Sequence, residues 1–117
     1  MQQDIERLQV GATLSEAAIH RGTVYLAGQV ANDTTQNIEG QTREVLMLID
    51  RSLAQAGSDK SRILMCQIFL ADIKDFDVMN QVWSAWVSAS HAPPRATVEA
   101  RLAKPEWLIE IVVTASA

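Results

Sequence analysis

A single cysteine, Cys66, stands in 117 residues, so the chain can form neither an internal disulfide nor a cysteine-built metal site. Basic residues are also short: 10 Lys and Arg against 14 Asp and Glu leave a net charge of −4. Phosphate backbones are gripped chiefly by basic surface, so this balance argues against a nucleic-acid partner. No apolar run approaches the ~18 residues that suggest a membrane span. The opening Met-Gln-Gln-Asp-Ile-Glu-Arg lacks the basic start and apolar core of a secretory signal. A cytoplasmic protein with no membrane partner is expected. There is no phosphate-binding glycine loop, no serine-centred elbow and no zinc-ligand spacing. His20 and His91 are too isolated to suggest a metal site or an activated nucleophile. No metal and no cofactor is expected.

What is present reads as one globular domain, residues 1–117, with 48% hydrophobic and 21% charged residues, an ordinary soluble composition. Asp4 to Val10 alternates weakly and suggests a short strand. Ser15 to His20, a turn at Arg21-Gly22, and Thr23 to Val30 suggest a hairpin. The polar loop Asn32 to Asn37 leads into a run of helical period, with Val45, Leu46, Ile49, Leu53 and Ala56 in one stripe. Gly57 is placed to end that helix in a left-handed conformation. Ser61 to Ala71 is apolar on both faces and reads as a central strand. Asp72 can cap a second helix whose stripe is Ile73, Phe76, Met79, Trp83 and Trp86. Pro93 and Pro94 end it. Two closing strands follow, Arg95 to Leu102 and Trp107 to Thr114, joined by Ala103-Lys-Pro-Glu106. The order β, β, β, α, β, α, β, β predicts an α/β (α+β) fold: a mixed sheet of five to six strands with two helices on one face.

Alternation assigns faces to the closing strands. Ala96, Val98, Ala100 and Leu102 form one apolar row and Ile109, Ile111 and Val113 another, and both are expected under the helices. Arg95, Thr97, Glu99 and Arg101 then fall on the opposite face with Leu108, Glu110, Val112 and Thr114. Two helices cover only one side of such a sheet. The other side would expose Met65, Phe69, Leu108 and Val112, and a patch of that kind marks an interface. The expectation is an oligomer with Arg95 and Glu110 on the subunit-facing side.

Those two charges are the candidates for chemistry. A guanidinium presents a planar fork that matches a carboxylate, and Arg95 follows two prolines that would aim it. The bland alternative is a structural ion pair with Glu99 or Glu110. Glu110 interrupts an apolar strand, where an unpaired carboxylate is costly. It could orient a water or bind an amino group, or simply pair with an arginine of the next subunit. Cys66 lies in an apolar row and reads as a core thiol. Trp83 and Trp86 fit the helix stripe as core, His91 reads as a solvated loop residue, and Trp107, at the mouth of the last strand, could line a pocket.

Several of these segments together resemble the RidA (YjgF-type) family of reactive enamine/imine intermediate deaminases. They are Ala92-Pro-Pro-Arg-Ala-Thr-Val-Glu99, its spacing to Ile109-Glu-Ile111, Ala27-Gly-Gln-Val30, and Phe69-Leu-Ala-Asp-Ile-Lys-Asp-Phe-Asp-Val-Met-Asn80. The resemblance covers nearly everything after the first ten residues and is closest to a divergent, YoaB-like branch. It implies a chorismate-mutase-like fold and a homotrimer with clefts between subunits. It further implies that Arg95 holds a substrate carboxylate, that Glu110 positions the attacking water, that Gly28 and Asn80 lie near the cleft, and that the backbone around Ala96 and Thr97 completes the carboxylate site. The implied reaction is cofactor-free hydrolysis of 2-aminoacrylate-type enamines and imines to 2-keto acids and ammonia. Three positions depart from the family pattern: Thr13-Leu14-Ser15 replaces Gly-Pro-Tyr, Ala96 follows the arginine, and Val112 stands where a second carboxylate is common. These departures leave a second reading open, a non-catalytic trimer that binds or senses small carboxylates. Ribonuclease action gains little support from an acidic chain.

Overall fold

The computed structural model describes residues 4–117. Six strands and two helices follow in the expected order: β1 Glu6–Val10, β2 Ser15–His20, β3 Thr23–Leu26, α1 Ile38–Gln55, β4 Ile63–Leu70, α2 Phe76–Trp86, β5 Arg95–Glu99 and β6 Ile109–Ser116. The sheet runs β1-β2-β3-β6-β4-β5. Only β4 and β5 are parallel, joined by a crossover through α2. The remaining neighbours are antiparallel. No helix among the described residues is long and apolar enough to cross a membrane.

Both ends of α1 follow from local chemistry. Asn37 Oδ1 accepts the Gly40 N–H at 3.0 Å, which satisfies one of the orphan donors of the first turn. At the other end Gly57 takes φ +79. Its N–H reaches the Ala54 carbonyl at 3.1 Å, and Ser58 N–H reaches the Leu53 carbonyl at 2.8 Å. That pair of bonds is a Schellman motif, and its left-handed residue costs glycine least. Between the caps, Val45, Leu46, Ile49 and Leu53 are buried against Ile109, Ile111, Val113 and Ala115 of the sheet. Each such aliphatic side chain contributes about 2 kcal/mol of burial.

Four details depart from the alternation reading. Asp72 caps a short 3-10 turn, Ile73–Asp75, and α2 begins only at Phe76. A bulge between Ile63 and Met65 shifts the phase of β4, so Ile63 is buried and Leu64 exposed. β3 ends at Leu26 instead of Val30. The chain rejoins the sheet through a single bridge, Gln29 to Ile111, with one more residue on its side than on β6 between there and the Tyr25–Thr114 pair. The fourth departure concerns β5, which ends at Glu99 and has the opposite phase. Arg95 pairs with Cys66, and Cys66 with Val113. Residues paired across a ladder share a face, and Cys66 and Val113 are buried under the helices. So Arg95, Thr97 and Glu99 face the helices, and Ala96 and Val98 face away. The uncovered side therefore presents Met65, Phe69, Val98 and Val112 together, with Met65 and Val98 exposed.

Candidate functional site

Arg95 opens β5 and packs inward against α2. Its Nη1 donates to Asn80 Oδ1 at 2.8 Å, and its guanidinium carbon lies 5.1 Å from the Trp83 ring centre and 5.8 Å from that of Phe76. Two aromatic faces and one amide oxygen therefore hold the fork flat. No carboxylate joins it: Glu99 accepts the Ile73 N–H at 2.9 Å, and the one ion pair among the described residues is Arg43 with Glu39. The structural pairing of Arg95 with Glu99 or Glu110 is thus not formed within the chain.

Glu110 lies half-buried on the uncovered face, with no hydrogen-bond partner among the described residues. Its position depends on Gly28. A Cβ on residue 28 would stand 2.1 Å from Glu110 Oε2 and 3.0 Å from its carboxyl carbon. The carboxylate lies over a backbone that has no side chain. The β3–β6 irregularity brings this about, because Gln29 is pinned to Ile111 by reciprocal bonds of 2.9 and 3.1 Å. Gly28 and Glu110, far apart in sequence, meet here.

Arg95 and Glu110 do not meet. Glu110 pairs with Phe69 and Phe69 with Val98, three residues beyond Arg95. Three residue steps and two strand spacings separate their Cα atoms by roughly 14 Å, and the side chains leave opposite faces. The expectation that both lie on the uncovered side is overturned by the parallel register of β4 and β5. The apolar row Ala96 and Val98 lies on the uncovered face, whereas Arg95 and Glu99 find partners on α2 and in the turn before it.

The remaining candidates divide between the two places. Asn80 is tied to Arg95. Thr97 lies on the Arg95 face, its Oγ1 buried with no partner. Ala96 is exposed on the Glu110 face. Cys66 sits beside Arg95 in the ladder. Burial pushes its thiol up to about 12, outweighing the pull of the Arg95 charge in the other direction. It is a core thiol with no nucleophilic character. No group of three or more His, Cys, Asp or Glu residues is arranged to hold a metal among the described residues. Trp107 is half-buried two residues before β6 begins, with Lys104 Nζ 5.4 Å above its ring centre.

Sequence reasoning passed over Gln41. It is fully buried in α1, donating to the Gln36 and Glu106 carbonyls at 3.2 and 3.1 Å and accepting the Leu108 N–H at 3.0 Å. It therefore holds the backbone on both sides of Trp107. The signal was available, since Gln41 is a polar residue four before Val45 in the buried stripe.

The family model described as Endoribonuclease L-PSP matches residues 4–117. A RutC family protein of Haemophilus influenzae is 53% identical over 113 residues, which span 96% of this chain and 97% of that protein. The RutC family protein YoaB of Escherichia coli is 44% identical over 112 residues, 96% of this chain and 97% of that one. The crystal structure of a YjgF-family member from Neisseria meningitidis superimposes with a TM-score of 0.94 at 44% identity, covering 99% of this chain and 97% of its own.

Proposed function

The chain belongs to the endoribonuclease L-PSP family, the YjgF/RidA group, and from that premise we propose that it is a cofactor-free hydrolase of reactive enamines and imines. The substrates are of the 2-aminoacrylate type and the products are a 2-keto acid and ammonia. The observation that carries this reading is the Glu110 carboxylate, which has no partner among the described residues and lies over the bare backbone of Gly28.

In this mechanism an enamine takes a proton at its terminal carbon and releases one from its nitrogen to become the imine. Arg95 binds the substrate carboxylate through the donors that Asn80 leaves free. Glu110 accepts a hydrogen bond from a water and aims it at the imine carbon. The water oxygen bonds to that carbon while one of its protons passes to the imine nitrogen, giving a carbinolamine. The hydroxyl proton then follows to nitrogen as the carbon–nitrogen bond breaks, so ammonia leaves and the water's oxygen stays as the keto oxygen. The imine is already electrophilic, so positioning is the protein's main contribution. The backbone at Ala96 and Thr97 completes the carboxylate end.

The two half-sites face away from each other in one chain. The reading therefore requires an assembly, the homotrimer that the family resemblance implies, in whose clefts Arg95 of one subunit meets Glu110 of another. Arg95→Ala and Glu110→Gln should each abolish ammonia release from freshly generated 2-aminoacrylate. Mixed and reassembled, the two variants should regain part of the activity, because some clefts then combine an intact arginine with an intact glutamate. Full activity in Arg95→Ala would sink the proposal, and a mixture as inactive as its components would sink the shared cleft.

The second reading, a trimer that binds small carboxylates without turning them over, is favoured by Thr13-Leu14-Ser15 and Val112 in place of the family's tyrosine and second carboxylate. Saturable 2-keto acid binding with no ammonia release would decide for it.

A further inference from the structure

Trp107 stands between two clefts that both include it and Lys104. One, of about 420 Å³, also takes in Ala71, Glu99, Arg101 and Pro105. The other, of about 430 Å³, reaches Val30 and Asn32. Among the described residues neither Arg101 nor Lys104 has a carboxylate partner, and the carboxylate that lines the first cleft, Glu99, accepts the Ile73 N–H. The cleft thus carries two cations with no ion pair among the described residues, Arg101 on its wall and Lys104 over the indole.

The indole is also firmly mounted. Trp107 N–H closes a turn on the Lys104 carbonyl at 3.2 Å, and the fully buried Gln41 amide holds the Glu106 carbonyl and the Leu108 N–H on either side. A buried amide that commits its donors and acceptor in this way is a rigid support. A half-exposed aromatic ring with a fixed backbone and adjacent cations can stack a planar ligand and pair its charge.

We propose that Trp107, Lys104 and Arg101 form a binding subsite for planar carboxylates. The aromatic plane rests on the indole and the carboxylate pairs with the two cations. Trp107 is three residues before Glu110 in the chain, so the subsite lies roughly 10 Å along the strand from that carboxylate. The proposal does not rest on the deaminase reading, because it concerns binding without turnover.

Calorimetric titration with indole-3-carboxylate tests it, using the neutral indole-3-carboxamide and the non-planar cyclohexanecarboxylate as comparisons. Saturable binding of indole-3-carboxylate is expected, at least tenfold tighter than either comparison ligand. Lys104→Gln, at an exposed position, and Trp107→Leu should each weaken it about tenfold, whereas Arg95→Ala should leave it unchanged. The proposal is overturned by no saturable binding, by equal binding of the carboxamide, or by loss in Arg95→Ala with Lys104→Gln and Trp107→Leu unaffected. Failure of ammonia release alone would touch only the deaminase reading.

Discussion

A methyl group at position 28 would strike the Glu110 carboxylate first, since the three nearest atoms all belong to that side chain. The clashing atoms are the far end of a flexible chain, and Gly28 does not need a positive φ. Gly28→Ala should therefore fold and melt nearly as the parent does, while the carboxylate is driven from its place and ammonia release falls at least tenfold. Thermal denaturation and the activity assay read the two effects separately. Cys66 permits a second test. Its folded thiol titrates near 12 against an ordinary 9.0, so the folded state keeps a proton that the unfolded state sheds. Stability should decline as pH rises from about 9 towards 12, and a Cys66→Ala variant should show less of that decline in urea titrations. Thiol-directed labelling at pH 8 should likewise be slow until denaturant opens the chain.

The helices were the most legible elements, because their stripes and stops are local. Asn37, Gly57 and the spacing of Val45, Ile49 and Leu53 together define α1 without reference to the rest of the chain. Asn37→Ala should destabilise the protein by about 1 kcal/mol in urea unfolding, through loss of the bond to Gly40. The strands were legible as strands but not always in phase. Ala96 and Val98 form an apolar row, and alternation cannot say whether such a row seeks helices or another subunit. In β5 the deciding facts lie elsewhere: Asn80, Phe76 and Trp83 on α2 take Arg95, and the turn at Ile73 takes Glu99. The bulges near Ile63 and Gly28 were equally hidden, since one extra residue on one strand leaves no mark in composition. Of the candidate site, Gly28 with Glu110 and Asn80 with Arg95 proved to be neighbours, and the separation of the two pairs required the register.

At the scale of the molecule, one face of the sheet is covered by α1 and α2, while the other shows Met65, Phe69, Val98 and Val112. A lysine within this apolar patch, on the edge strand β5, would have to be desolvated on assembly and left unpaired. Val98→Lys, at a position already 48% exposed in the single chain, should leave the monomer folded and shift sedimentation from an assembled species to a single chain.

The opposed directions of Arg95 and Glu110 carry one more consequence, this time for enzyme concentration. If a working cleft takes its two charges from different copies, no single chain contains a complete catalyst. Specific activity should then hold constant while the assembly persists and collapse on dilution below its dissociation constant. Binding of planar acids at Trp107, which draws on one copy alone, should survive the same dilution.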